Sequence, residues 1–194
     1  MRNQVTTRDE LLQVSRRLVC CQGWSAVNIR SIAAECGISV GSVYHYFASK
    51  QELAEATGDS IWQEIFCRPE DDRVMGDILE FLTWVYRRME LGAGRYPGFF
   101  TLHSAEYLRM DGQDQQRTGQ HRQHIHDILC QVLRADPAIR GDAFDDSFTR
   151  EQFAHVLFSL IFASLLQGEH DPRPVVEMAR RTLYAPGAGK EAGA

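Results

Sequence analysis

Hydrophobic and polar positions along this chain follow the period of an α-helix, and no stretch of useful length alternates with the period of two that a strand requires. Leu11, Leu12, Ser15, Leu18 and Val19 make one apolar stripe. It is opened by Thr7-x-x-Glu10, a capping box, and closed by Gly23, with Trp24 folding back on the helix end. Ile29, Ile32, Ala33 and Cys36 predict a short second helix that stops at Gly37, where glycine enters the left-handed region without penalty. Ile38 tucks back toward the core and Ser39 caps a third helix. That helix buries Val43 and Phe47 and turns Ser42, Tyr44 and His45 outward. Ser49 and Glu52 predict another capping box, opening a fourth helix that runs to about Phe66 with Leu53, Ala56, Ile61 and Ile65 inward. Arg68-Pro69 ends it.

The remainder reads as helix throughout. A helix near 72–91 buries Ile78, Phe81, Leu82, Val85 and Met89 and is stopped by Gly92-Ala93-Gly94. Pro97-Gly98 starts a shorter, aromatic-rich segment from Phe99 to Arg109. A helix over roughly 114–134 carries Ile125, Ile128, Leu129 and Val132 inward and halts near Pro137. Thr149 to about Gln167 forms the next, apolar nearly all round between Phe153 and Leu166, so it must be covered on more than one side. Asp171-Pro172 opens a last helix ending near Tyr184, and the tail after Pro186 is expected to fray. The fold class is all-α, with no internal repeat.

Two short helices around a glycine-centred turn, the second exposing polar side chains, describe a helix-turn-helix at about 28–47. The residues Ile32, Ala33, Gly37, Ile38, Ser39, Gly41, Tyr44, Tyr46, Phe47 and Lys50 follow the pattern I-A-x-x-x-G-V-S-x-G-x-x-Y-x-Y/H-F-x-x-K. The chain therefore resembles TetR-type (TetR/AcrR) transcriptional regulators. Cys36 stands where that family usually has Ala, and Asn28 where Thr is frequent; a small thiol packs in the first position and Asn is a good cap in the second. The resemblance implies a three-helix DNA-binding domain at 1–50 and a larger effector-binding and dimerisation domain at 51–194. It further implies a fourth helix that swings when ligand binds, and a homodimer interface made by the last two helices. The partners it implies are double-stranded DNA with a palindromic operator and a small-molecule effector. The operator fits dimerisation, because two recognition helices about 34–36 Å apart read successive major grooves.

A net charge of −5 has the wrong sign for a DNA binder until the chain is divided. Residues 1–50 hold Arg2, Arg8, Arg16, Arg17, Arg30 and Lys50 against Asp9, Glu10 and Glu35, which is +3 and leaves −8 for the rest. The phosphate-facing surface is thus expected at the N-terminal end, ahead of an acidic body. A hydrophobic fraction of 44% is too high for a disordered chain. No apolar run is long enough to cross a bilayer, Val156 to Leu166 being the best, and MRNQVTTRDE lacks the apolar core of a signal peptide; a cytoplasmic protein is expected. Cys20, Cys21, Cys36, Cys67 and Cys130 contain no C-x-x-C pair and read as reduced, buried thiols, with a redox sensor as the alternative. No nucleophile elbow, phosphate loop, H-E-x-x-H or dinucleotide turn is present, so neither an enzyme nor a cofactor is expected.

The expected DNA-binding residues are Asn28, Arg30, Ser39, Val40, Gly41, Ser42, Tyr44, His45, Tyr46 and Lys50. Arg30 suits a guanine edge or a phosphate, Ser42 and His45 suit base edges, and Val40 suits a thymine methyl. Tyr44, Tyr46 and Lys50 suit phosphates, Tyr46 packing inward being the alternative, and Gly41 lets the backbone approach closely. Asn28 caps its helix and keeps amide protons for a phosphate. For the effector pocket that the resemblance implies, periodicity offers Trp84, Met89, Phe100, His103, Tyr107, Leu129 and Phe162, all equally compatible with plain core. His121 and His124 share a helix face beside Asp127, which raises a metal site against the simpler solvated face; no metal is expected. A helical small-molecule carrier, or an activator of the same architecture, is the competing function.

Overall fold

The computed structural model describes residues 6–66, 76–100 and 115–185, with only the backbone considered at 115–124. Eight α-helices and one 3-10 turn are delimited among the described residues, which contain no strand. They are α1 (Arg8–Gln22), the 3-10 turn Trp24–Ala26, α2 (Ile29–Cys36), α3 (Val40–Tyr46), α4 (Lys50–Phe66), α5 (Ile78–Arg95), α6 (Gln115–Ala135), α7 (Arg150–Gln167) and α8 (Arg173–Leu183). The chain divides into two compact units. One holds described residues 6–66 and 91–100, the other 76–90 and 115–185. Packing thus places α4 with the helix-turn-helix and divides α5 between the units, whereas the expected domain boundary falls after residue 50.

In the first unit, local chemistry sets the helix ends. The Thr7 hydroxyl accepts the Glu10 N–H at 3.2 Å while the Glu10 carboxylate accepts the Thr7 N–H at 2.9 Å, a complete capping box. α1 ends on Gly23 at φ 82°, and α2 ends on Gly37 at φ 66°, so both turns use backbone that side-chain-bearing residues rarely adopt. The Ser49-Glu52 box is displaced from its expected form. Ser49 accepts the Glu52 N–H at 3.0 Å, but the Glu52 carboxylate reaches past it to the Ala48 N–H at 2.7 Å. Leu11, Val19, Ile32, Val43, Phe47, Leu53 and Ile61 fill a core with almost no exposure.

Residues 91–100 complete this unit. The expected helix stop at Gly92-Ala93-Gly94 is corrected: α5 runs on to Arg95, and the Tyr96 N–H still reaches the Gly92 carbonyl at 2.8 Å. Glycine serves here as a notch, not a breaker. A Cβ on Gly92 would come within 2.7 Å of Ile65 Cδ1 and 3.0 Å of Phe100 Cζ. Trp62 stacks on Phe66 at 4.7 Å and meets Phe100 edge-on at 5.7 Å, while Trp24 lies 5.8 Å from Phe99. Glu64 joins two helices to α4, accepting Arg16 Nε and Arg95 Nη2 at 2.8 Å each.

In the second unit α6 packs along α7, and the Tyr86 hydroxyl on α5 pairs with Ser164 on α7 at 2.8 Å. α7 has a full capping box at Thr149 and Gln152 and an αL cap at Gly168. Asp136 lies just ahead of the Pro137 at which α6 was expected to halt. It is buried and accepts the Ile78 N–H at 3.1 Å, the Ala138 N–H at 2.9 Å and the Tyr184 hydroxyl. Burial, with the Asp136 hydrogen bond beside it, pushes the Tyr184 phenol far up. One carboxylate thereby ties the start of α5 to the ends of α6 and α8.

The thiols depart from the buried pattern expected of them. Cys20 and Cys21 are exposed and Cys36 is half-buried; Cys130 alone is buried among the described cysteines, and Cys67 lies outside the described residues.

Candidate nucleic-acid interface

Three side-chain caps position the surface that α2 and α3 present. The Asn28 side-chain oxygen accepts the Ser31 N–H at 3.0 Å, and its amide donates to the Ala26 carbonyl at 3.4 Å, leaving one amide proton over. Capping starts α2 at Ile29, which faces the core, and so puts Arg30 in the first turn on the exposed side. Ser39 Oγ accepts the Ser42 N–H at 3.0 Å and lies 2.9 Å from Ser42 Oγ, so the two hydroxyls expected at the interface also satisfy one another. Gly37 allows the chain to turn, and the Ile38 N–H bonds the Ala33 carbonyl at 3.0 Å, which closes the turn.

Val43 and Phe47 are buried along one side of α3, while Val40 in its first turn and Tyr44 and His45 near its end are exposed, His45 lying opposite the buried pair. Val40 is 41% and Tyr44 50% exposed, large values for apolar and aromatic groups. Gly41 is exposed as well, and a Cβ built there would meet only Ser39 Oγ, at 3.7 Å. Nothing among the described residues requires a glycine at this position.

Charge is sorted in the same way. Arg17 reaches Glu35 at 3.3 Å and Arg16 reaches Glu64 at 2.8 Å, so two cations of the N-terminal excess are spent within the fold. Arg30 and Lys50 are exposed and make no ion pair among the described residues. Tyr46 corrects an expectation. It is half-buried, and its hydroxyl gives its proton to the Thr6 carbonyl instead of presenting it outward; His45 meets its ring edge-on at 5.3 Å. One further cation, absent from the expected set, stands at this end of α3: the Arg8 guanidinium lies 5.1 Å above the Phe47 ring. Its signal in sequence was only its place in the N-terminal charge count.

The residues expected to line an effector pocket are not gathered in one unit. Phe100 packs with Trp62 and Phe66 in the first. Met89 and Leu129 are fully buried in the second, where Trp84 stacks on Phe81 at 5.7 Å and Phe162 on Phe158 at 6.1 Å. His103 and Tyr107 lie outside the described residues, as do the side chains of His121 and His124.

Short capped helices around an αL glycine, with an exposed, uncompensated outer face, define a helix-turn-helix DNA-binding regulator. Residues 11–57 match the family of bacterial regulatory proteins, tetR family. The nucleoid occlusion factor SlmA of Photobacterium profundum is 30% identical over 144 residues, 71% of this chain and 71% of that protein. The chain belongs to the TetR family of transcriptional regulators. A shorter match, 44% identical over 48 residues, is to the transcriptional repressor KstR2 of Mycolicibacterium smegmatis; it spans 25% of this chain and only 23% of that protein. Among solved structures, a putative transcriptional regulator from Rhodococcus sp. RHA1 shares the fold at a TM-score of 0.67 and 17% identity, over 96% of this chain and 99% of that one. No described helix is long and apolar enough to cross a membrane.

Proposed function

We propose that this regulator is a homodimeric repressor that holds a palindromic operator through α3 and is released by a small-molecule effector. The observation that carries the DNA-binding part is the outer face of α2 and α3. Val40, Tyr44 and His45 are exposed there, and the exposed cations Arg30 and Lys50 make no ion pair among the described residues, in a chain whose net charge is −5. On this reading Arg30 addresses a guanine edge, Ser42 and His45 base edges, and Val40 a thymine methyl. Tyr44, Lys50 and the remaining Asn28 amide proton hold phosphates, and Gly41 lets backbone come close. Tyr46 is left out, because its hydroxyl is already bound to Thr6.

Dimerisation is supported by α7. Its buried face holds Phe153, Leu157, Ile161 and Leu165, yet Val156, Leu160 and Ala163 form a second apolar stripe at i, i+4 and i+7 that this chain leaves partly exposed. Val156 is 41% exposed. A second copy covering that stripe through α7 and α8 would also space two recognition helices for one operator. Release follows by linkage: an effector must bind more tightly to the dimer geometry that no longer fits the groove spacing, or nothing shifts.

Fluorescence anisotropy against DNA from upstream of the protein's own gene, with shuffled DNA as competitor, tests the reading. Competitor-resistant binding with a two-fold symmetric footprint supports it. Binding that vanishes equally for both DNAs as salt rises would leave only a basic patch, and the helical carrier would take its place. Leu160→Arg should split the dimer on sedimentation; a variant that still sediments as a dimer moves the interface away from α7. The SlmA match, the longer of the two alignments, favours one second reading, a nucleoid occlusion factor. Deletion that disturbs nucleoid occlusion while leaving transcription unchanged would support that reading over a repressor.

A further inference from the structure

We infer that Arg8 is an additional DNA-backbone contact, held beside the end of the recognition helix by Phe47 and by the Tyr46–Thr6 hydrogen bond; the inference rests on the DNA-binding reading above. Helical spacing carries Arg8 there. In α1 the core face is Leu11, Leu12, Ser15 and Val19, and Arg8 lies three, four, seven and eleven residues before them, on that same face. At the helix start this face has passed beyond the apolar core, so the side chain meets the last turn of α3 instead. The guanidinium stands 5.1 Å from the centroid of Phe47, whose side chain has no exposure, while Arg8 itself is exposed.

The two acids next to Arg8 do not cancel it. Asp9 and Glu10 follow at about 100° per residue, so both leave the face that Arg8 occupies. The Glu10 carboxylate is moreover folded back on the Thr7 N–H at 2.9 Å. No described acid pairs with Arg8, in contrast to Arg16 and Arg17. A second tether acts on the backbone just before it: the Tyr46 hydroxyl, at the last position of α3, donates to the Thr6 carbonyl, two residues ahead of Arg8. Arg8, Arg30 and Lys50 are thus exposed cations near the helix-turn-helix that pair with no acid among the described residues. Stacking on a ring leaves the guanidinium edge, with its N–H donors, available to a phosphate. Arg8 would position the helix without reading sequence. Tyr46 then acts through Arg8, as a positioning residue.

The test is the salt dependence of binding, which counts phosphate contacts and which a purely structural role would not move. Affinities of wild type, Arg8→Ala, Arg8→Lys and Tyr46→Phe are measured by anisotropy on upstream duplex and on an unrelated duplex at several salt concentrations. Arg8→Ala should weaken binding to both duplexes alike and flatten the slope of log K against log salt by about 0.9 per half-site. Arg8→Lys should restore the slope. In the Tyr46→Phe background the Arg8→Ala effect should shrink, since the charge is no longer held in place. Thermal melts of the free variants check that the fold is kept. Wild-type binding with an unchanged slope in Arg8→Ala overturns the inference alone. A wild type that ignores both duplexes overturns the DNA-binding reading, and this inference with it.

Discussion

Gly41 in α3 and Gly92 in α5 are both glycines inside helices, where each costs roughly 1 kcal/mol against alanine, and their surroundings are opposite. At Gly92 the missing Cβ is replaced by the protein's own atoms, Ile65 Cδ1 and Phe100 Cζ. At Gly41 it is replaced by nothing, and the nearest atom is Ser39 Oγ at 3.7 Å. On the proposed reading, that open space is where the DNA backbone comes close. Charge repeats the contrast. Glu64, Arg16 and Arg95 satisfy one another within the first unit, as Glu177, Arg180 and Arg181 do on α8, whereas Arg30 and Lys50 are exposed and make no ion pair among the described residues.

The contrast is broken most directly at the filled notch. Gly92→Val should lose about 1–3 kcal/mol of stability through overpacking, read as a lower denaturation midpoint; an unchanged midpoint would mean that Ile65 and Phe100 move aside freely. Arg30→Ala should relax base preference at one position per half-site by ~1–3 kcal/mol. Uniform weakening across a library of operator variants would instead place Arg30 on the phosphates. Gly41→Ala should leave the melting temperature unchanged or raise it, yet weaken DNA binding about tenfold, near 1.4 kcal/mol. If affinity survives, the backbone of α3 does not come close to DNA there.

The smallest effect lies where charge is already satisfied. Hydrogen bonds from Arg180 and Arg181 pull the Glu177 carboxyl down from 4.5 to about 2. A lowered folded-state pKa gives stability that is present above 4.5 and lost as pH falls toward 2. Melting curves for Glu177→Gln should therefore be flatter than wild type across that window, by a small margin because the pair is solvent-facing. Equal pH dependence in both proteins would show that the bonds persist in the unfolded chain or do not form.

What could be read from the sequence was local. Thr7 with Glu10, Asn28, Gly37 and Ser39 each announce a helix end through groups a few residues apart, and each end stands where it was expected. What could not be read depends on groups far apart in the chain. Gly92-Ala93-Gly94 looks like a stop until Ile65, 27 residues earlier, is known to fill the notch. The Tyr46 hydroxyl looks free until Thr6, 40 residues away, accepts it. Asp136 carries no local signal beside Pro137, because its partners Ile78 and Tyr184 lie 58 and 48 residues off. Pocket residues were the least legible, since Met89, Leu129 and Phe100 have the composition and spacing of ordinary core, and packing divides them between units.

Sharing α5 between the compact units has a consequence for anyone wishing to transplant the DNA-reading head onto a different sensor. The head is not a contiguous stretch of gene. Cutting after Phe66 and joining residues 6–66 to a foreign body would strip Trp62 and Phe66 of Phe100, Trp24 of Phe99, and Glu64 of Arg95. Such a chimera would carry an adhesive aromatic face and a half-paired carboxylate at its seam. A chimera meant to stay in solution would have to import Leu91 to Phe100 as a second graft, threaded into the recipient's own helix.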